Sequence, residues 1–373
     1  MRYRSALLLC LALGLCRSAY AQSAPPAPWF EPQTITMSAR YRFVQTNGDQ
    51  TTADQLQFKD AFRARFNLDR DRRVSIHVGA FSGSSFTSSW DATGIGSGQA
   101  SADTYVKQLF ASVAPMHGLE LQFGGLYINH GESTEITSYD DDGYVMGERV
   151  TLRRPAQAYF DEISLTRAAL GSPSMPGVFR RLHLLDRQNY WQAAVVKHVG
   201  SAISASADVT DVAGVATARA AVAVHFRKSA PLSTVRFEQY RRFANRSAEP
   251  VPVEGSRYAT GFAVVGERPI TSHVRLQAGY ADIDAAYGGL NADRIQRGKR
   301  VFAIAAIPIA GPLSAQLFAT QAFTRSYSIT NRTRFDAVIT YDLLAAFQKR
   351  SAEGHPTAHN PRGGDPAASR SIR

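Results

Sequence analysis

The stretch "LQFKDAFRARFNLDR", residues 56 to 70, decides how this chain folds. Leu56, Phe58, Phe62, Ala64, Phe66 and Leu68 occupy even positions, and Gln57, Lys59, Arg63, Arg65 and Asn67 occupy odd ones. A strand turns successive side chains to opposite faces, so this segment has one apolar face and one basic face. The reading of the whole chain turns on how often that pattern recurs and on which face meets water.

It recurs almost everywhere. "TITMSARYRF", "VSIHVGAF", "LELQFGG", "AISASADVT" and "HVRLQAGYA" all alternate with period two, and no helical pattern persists beyond about two turns. The uncharged run 301–320 is interrupted by Pro308, Gly311 and Pro312, which suits a hairpin about "AGP" and not a membrane helix. Strands are expected at 33–46, 55–69, 73–82, 104–114, 118–130, 156–168, 177–187, 189–198, 202–210, 215–227, 233–243, 257–267, 272–283, 300–309, 313–323 and 333–345. The seventh, "GVFRRLHLLDR", alternates least clearly.

The connections follow a parity rule. Tight ones ("DRDR", "APMH", "HVGS", "KSAPLS", "ERPI", "AGP") follow even-numbered strands. Long ones, including 83–103 and 131–155, follow odd-numbered strands, with "DVAG" the short exception. Long loops at one end and tight turns at the other predict an all-β fold, a transmembrane antiparallel up-and-down barrel of about sixteen strands, or fourteen. A secreted soluble β-sandwich also alternates, but does not segregate its loops by parity. In a barrel the phenylalanines of 56–70 face lipid, and Lys59, Arg63 and Arg65 face the lumen. Asp60 then falls on the lipid face, which predicts a place near an interface or under an oligomer contact.

The N-terminus agrees with export. "MRYRSALLLCLALGLCRSAYAQ" has basic Arg2 and Arg4, an apolar run from Ala6 to Leu15, and Ala19-Tyr20-Ala21 before Gln22. This is the layout of a cleaved signal peptide, residues 1–21, and a lipoprotein reading of Cys16 is the alternative. Cleavage removes both cysteines, leaving no disulfide, cysteine nucleophile or thiolate metal site. It also removes Arg2, Arg4 and Arg17, taking the formal charge from +11 to +8. The tail 348–373 carries five bases and two acids, so the barrel segment 22–347 is only mildly basic at +5. That excludes the concentrated charge of a nucleic-acid binder.

Signal peptide, thiol-free body, paired hairpins and "TYVKQLFASVAPMHGLELQFGGLYI" together resemble a Gram-negative outer-membrane porin, in particular the alginate-export type. The resemblance covers the mature chain architecturally. It implies an outer-membrane location within the lipid bilayer, passive transport of small anionic solutes or of an acidic polysaccharide along an arginine-lined path, and a homo-oligomer.

On strands with clear alternation the polar face collects Arg40, Arg42, Lys59, Arg63, Arg65, Arg219 and Arg275, with His77, against Glu120 and Asp208. A lumen so biased concentrates anions, unless carboxylates neutralise the arginines and they merely fill space. The loop 131–155 holds Asp140, Asp141, Asp142 and Glu148, and is longer than an idle connection needs. It reads as a constriction loop folded into the lumen. A calcium site at "DDDG" and a solvated surface loop are the alternatives. No G-x-S-x-G, H-E-x-x-H or phosphate-binding glycine loop is present, and neither an enzyme nor a cofactor is expected. A non-conducting barrel, either lipid-active or a surface scaffold, is the competing class.

Overall fold

The computed structural model describes residues 27–46, 50–84, 88–133, 144–153, 159–171, 175–212, 214–227, 230–245, 260–271, 273–283, 298–323 and 331–353. Alternation becomes one antiparallel sheet: β1 (Phe30–Thr46), β2 (Gln50–Asn67), β3 (Val74–Ser82), β4 (Asp91–Gly96), β5 (Thr104–Met116), β6 (Leu119–Tyr127), β7 (Tyr144–Arg153), β8 (Glu162–Ala169), β9 (Tyr190–Val199), β10 (Ile203–Val212), β11 (Val215–His225), β12 (Thr234–Asn245), β13 (Thr260–Pro269), β14 (Arg275–Ile283), β15 (Gly298–Ala310), β16 (Leu313–Ala322) and β17 (Asn331–Asp342). β1 pairs with β2 on one side and β17 on the other, which closes the sheet and removes its edges. The short β4 sits out of the ring. It pairs with the upper part of β2, while β3 pairs directly with β5. The wall is a closed barrel of sixteen strands.

The expected count is right, but two of its members change. The strand expected at 177–187 is a helix, α1 (Val178–Arg181), followed by a 3-10 turn over Leu182–Asp186. The doublets Arg180-Arg181 and Leu184-Leu185 break its alternation, and Arg181 is fully buried against the Tyr144 ring, 4.3 Å away. The missing strand is β7, which lies inside the expected loop 131–155. Its alternation was hidden behind the acidic run that precedes it. β2 also begins at Gln50, so the expected loop "QTNGDQTTA" shrinks to 47–49. The strand ends that flank 83–103, 128–143, 170–189, 246–259 and 284–297 lie at one end of the barrel, the loop end; those that flank 68–73, 117–118, 200–202 and 311–312 lie at the other, the turn end. After β17 the chain enters α2 (Leu343–Glu353), which spans the expected barrel–tail boundary at 347.

Register fixes the faces. Phe58, Phe62 and Phe66 stand opposite Ala39, Ile35 and Phe30 on the outside, beside Met37, which is 54% exposed. Trp29, Phe30 and Phe66 cluster within 6.0 Å at the turn end, where aromatic rings suit a membrane interface. Asp60 is on the outer face opposite Met37, and its N–H donates to Ser82 Oγ at 3.0 Å. Ser82 ends β3, so Asp60 sits at the rim of the wall on that side.

The inner face is not uniformly polar, contrary to the simple reading of alternation. On β12–β16 Tyr240, Ala263, Val265, Ala281, Ile283, Phe302 and Phe318 form a buried cluster. A second gathers Phe110, Leu126, Ile128, Tyr144, Val145, Ala168 and Tyr190 on β5–β9. The cationic residues lie around and between these two patches.

Candidate functional site: the inner wall and its inward loop

The inward cations fall into two groups. On β1 and β17, Asp336 is the centre of a knot: Arg334 lies 2.5 Å away, Arg42 3.2 Å and Arg40 3.8 Å, and Arg40, Arg334 and Asp336 are all buried. Arg40 also donates to Gln57 Oε1 through Nε and Nη2, at 2.8 and 2.5 Å. Arg219 is similarly committed, with a two-point pair to Asp208 at 2.6 and 3.0 Å. These arginines hold the wall together. A planar guanidinium paired in a fork with a carboxylate is rigid and directional.

Lower on β2 the arrangement is different. Arg63 stands across Gly79 of β3 from Gln108 of β5, and its guanidinium lies 5.0 Å from the Phe81 ring centre and 5.4 Å from that of Tyr127. Gly79 matters here because a side chain at that position would collide with the Phe81 ring at 2.8 Å. Arg65 donates to the Arg72 carbonyl at 2.9 Å. Among the described residues no carboxylate lies within ion-pair distance of Arg63, Arg65 or Arg275. Lys59 is on the same inner face, opposite Ser38.

Several inward cations were missed from sequence. Arg149 and Arg153 belong to β7 and were hidden by its misreading as loop. Arg149 donates to Thr166 Oγ1 at 2.8 Å and to the Tyr127 carbonyl; Arg153 bridges Glu120 and Glu162 at 2.7 and 2.8 Å. Arg236, Arg242 and Arg334 alternate on strands that were expected, so their face was legible; Arg300 shares its parity with apolar Phe302 and Ile304, which hid it.

Beyond Tyr127 the chain turns inside the barrel. Asn129 Nδ2 donates to Ser164 Oγ at 2.7 Å, and Gln192 donates to the Asn129 carbonyl at 2.6 Å. The Glu132 N–H donates to Ser206 Oγ at 2.8 Å, and its carboxylate lies 3.7 Å from His198 and 3.9 Å from Arg236. All these partners are on inner faces of β8, β9, β10 and β12, so 128–133 descends along the inner wall. Gly131 permits the closest approach: its φ is +56°, and a Cβ there would sit 2.7 Å from Ser206. A cavity of about 500 Å³ separates this segment from the wall, lined among others by Tyr127, Arg149 and Glu162.

Of the expected constriction residues, Asp140, Asp141 and Asp142 lie outside the described residues. Glu148 is corrected. It is a β7 residue one step out of phase with inward Arg149, so it faces outward, 3.7 Å from Arg167, whose guanidinium lies over the Trp191 ring.

The chain is similar to porins of known structure. Against the OmpF of Salmonella typhi in complex with daunomycin the TM-score is 0.53 at 11% identity, covering 84% of this chain and 97% of that one. The fold is that of the outer-membrane porins. Two mutant porins of Rhodopseudomonas blastica give TM-scores of 0.51 and 0.50 at 12% and 11% identity, covering 84% of this chain and all of theirs. No protein-family model matches the sequence. No curated protein matches it either. At these identities the porin likeness fixes the architecture and leaves the solute to this chain's own residues.

Proposed function

We propose that the protein is an outer-membrane channel for passive diffusion of small solutes, with a preference for anions, and not an enzyme. The barrel fold supports the channel. The observation that carries the preference is Arg63, an inward cation that makes no ion pair among the described residues, followed by Arg65, whose cross-strand neighbour Glu31 is engaged by Arg72 at 2.6 Å. A low-dielectric wall lined by uncompensated positive charge raises the local concentration of anions and lowers their barrier to passage. The descent of segment 128–133 along the inner wall supports reading Asp140, Asp141 and Asp142, a few residues on, as the acidic side of a constriction. An acidic polysaccharide as cargo is the larger version of the same chemistry.

Planar-bilayer recording tests both parts. Stable conductance steps are expected, with a reversal potential in a salt gradient that reports anion selectivity. A folded protein that gives no steps would overturn the channel. Steps without anion selectivity would overturn the preference alone.

A further inference from the structure

Trp90 is held in place by more buried polar contacts than a loop residue needs. It immediately precedes β4, where Ala92 stands opposite inward Gln57; two residues back on the same parity, Trp90 also projects inward. Its indole covers Arg40, whose guanidinium carbon lies 3.9 Å from the ring centroid. The residues on either side are pinned. Ser89 is fully buried, its carbonyl accepting from Ser82 Oγ at 2.8 Å. Lys107, itself 1% exposed, donates to the Ser88 carbonyl and to Ser89 Oγ at 3.0 and 3.2 Å. Asp91, 2% exposed, accepts from the Gly83 N–H at 3.1 Å and from Ser101 Oγ at 2.8 Å.

This scaffold fixes the ring, which is half-buried and on the inward parity of β4. An indole with one face on a guanidinium offers the other to a planar ring, because aromatic pairs gain about 0.5–1.5 kcal/mol beyond simple burial. Next to it the inner face of β2 leads from Gln57 to Lys59 and then to Arg63, which makes no ion pair among the described residues. We infer that Trp90 is a specificity-determining residue of the pore, a stacking platform that selects aromatic monocarboxylates over aliphatic ones of the same charge. The ring of the solute rests on the indole, and its carboxylate is drawn on toward Arg63. The inference rests on the anion-channel reading above and adds to it the class of anion.

Single-channel recording of the full-length protein in planar bilayers tests it, with benzoate, cyclohexanecarboxylate and acetate as probes. Benzoate should interrupt the current with resolvable blocks several-fold longer than those of cyclohexanecarboxylate, which matches it in charge and size but lacks a π face; acetate should give none. Trp90→Phe should keep most of the difference and Trp90→Leu should abolish it, with the chloride reversal potential unchanged in both. Equal blocks by benzoate and cyclohexanecarboxylate in the wild type would overturn the inference while leaving the anion preference intact. So would a full difference persisting in Trp90→Leu. Heat-modifiable mobility on gels checks that each variant forms the barrel; should Trp90→Leu fail to fold, the comparison of Trp90→Phe, Trp90→His and wild type decides, since block length should then follow the area of the ring. Loss of anion selectivity in the wild type would instead remove the reading on which the inference stands.

Discussion

The Asp336 knot and the Arg63–Arg65 row carry the same side chain on the same inner wall, yet they do different work. In the knot, Arg40, Arg42 and Arg334 converge on one carboxylate out of water. In the row, Arg63 rests on aromatic faces and Arg65 on a main-chain carbonyl, and among the described residues neither makes an ion pair, Glu31 opposite Arg65 being held by Arg72. The difference teaches that inward direction alone does not set an arginine's surroundings. What separates a paired charge from an unpaired one is the partner, and the partner comes from register across strands far apart in sequence.

The first way to break the contrast is to remove the carboxylate. Asp336→Ala leaves arginines buried around a missing counter-charge, and breaking one partner of a buried pair costs roughly 3–5 kcal/mol. Folded yield and the temperature at which the heat-modifiable band converts should both fall sharply. A variant as stable as wild type would mean that the knot is open to solvent and belongs with the pore.

The converse experiment targets the row. Arg63→Glu with Arg65→Glu should leave the barrel folded and shift the permeability ratio several-fold toward cations, read from reversal potentials in a salt gradient. On the constriction reading, Asp140→Asn with Asp142→Asn should move it the other way, by less, because the arginines of the wall remain. If the arginine pair leaves selectivity unchanged, these side chains do not line the conducting path. If only the aspartates are silent, the acidic run is a surface feature.

How much of this was legible follows from what period two can and cannot report. The alternation of 56–70 gave the faces of β2, and with them the inward direction of Lys59, Arg63 and Arg65. It could not say that Arg40 and Arg42 would meet Asp336, because that contact is made by barrel closure across nearly the whole chain. It failed at β7, where a run of acids and glycines reads as loop although Arg149, Thr151 and Arg153 alternate behind it. It over-reached at 177–187, where apolar residues on both parities belong to a helix packed on Tyr144. Trp90 was invisible because its neighbours set its position by hydrogen bonds and not by periodicity.

A third change sharpens the comparison by moving the inward segment 128–133. Gly131→Val places a β-branched side chain at a positive φ and into Ser206. A strained φ of this kind costs about 1–3 kcal/mol. The inward segment is held by side-chain hydrogen bonds, the Glu132 contacts and Ile128 packing, not by a strand ladder, so it should lift off the wall before the barrel yields. Unit conductance should rise and become noisier, with little change in thermal stability. A quiet channel of unchanged conductance would place 128–133 away from the constriction.

The smallest effect lies at the turn end, where Asp161, just before β8 and outside the strand, holds the wall beside the exposed His198. Asp161 accepts the His198 N–H at 2.5 Å, and this bond is the main reason its pKa lies below the ordinary aspartate value; Lys197 Nζ at 3.2 Å and the His198 ring at 3.1 Å add to it. The sign follows from the direction. A carboxyl whose folded pKa is depressed contributes stability that is present above its unfolded value, near pH 3.9, and is lost as pH falls through the lower folded value. The wild-type barrel should therefore lose a small part of its stability below about pH 4, and Asp161→Asn should flatten that part of the profile while staying folded at neutral pH. Thermal unfolding in micelles between pH 3 and pH 6 gives the comparison. Because the site is exposed the difference should be small and should shrink further in high salt. An equal acid loss in wild type and variant would assign it to carboxylates elsewhere, with the Asp336 knot, tested above by its own substitution, the first to examine.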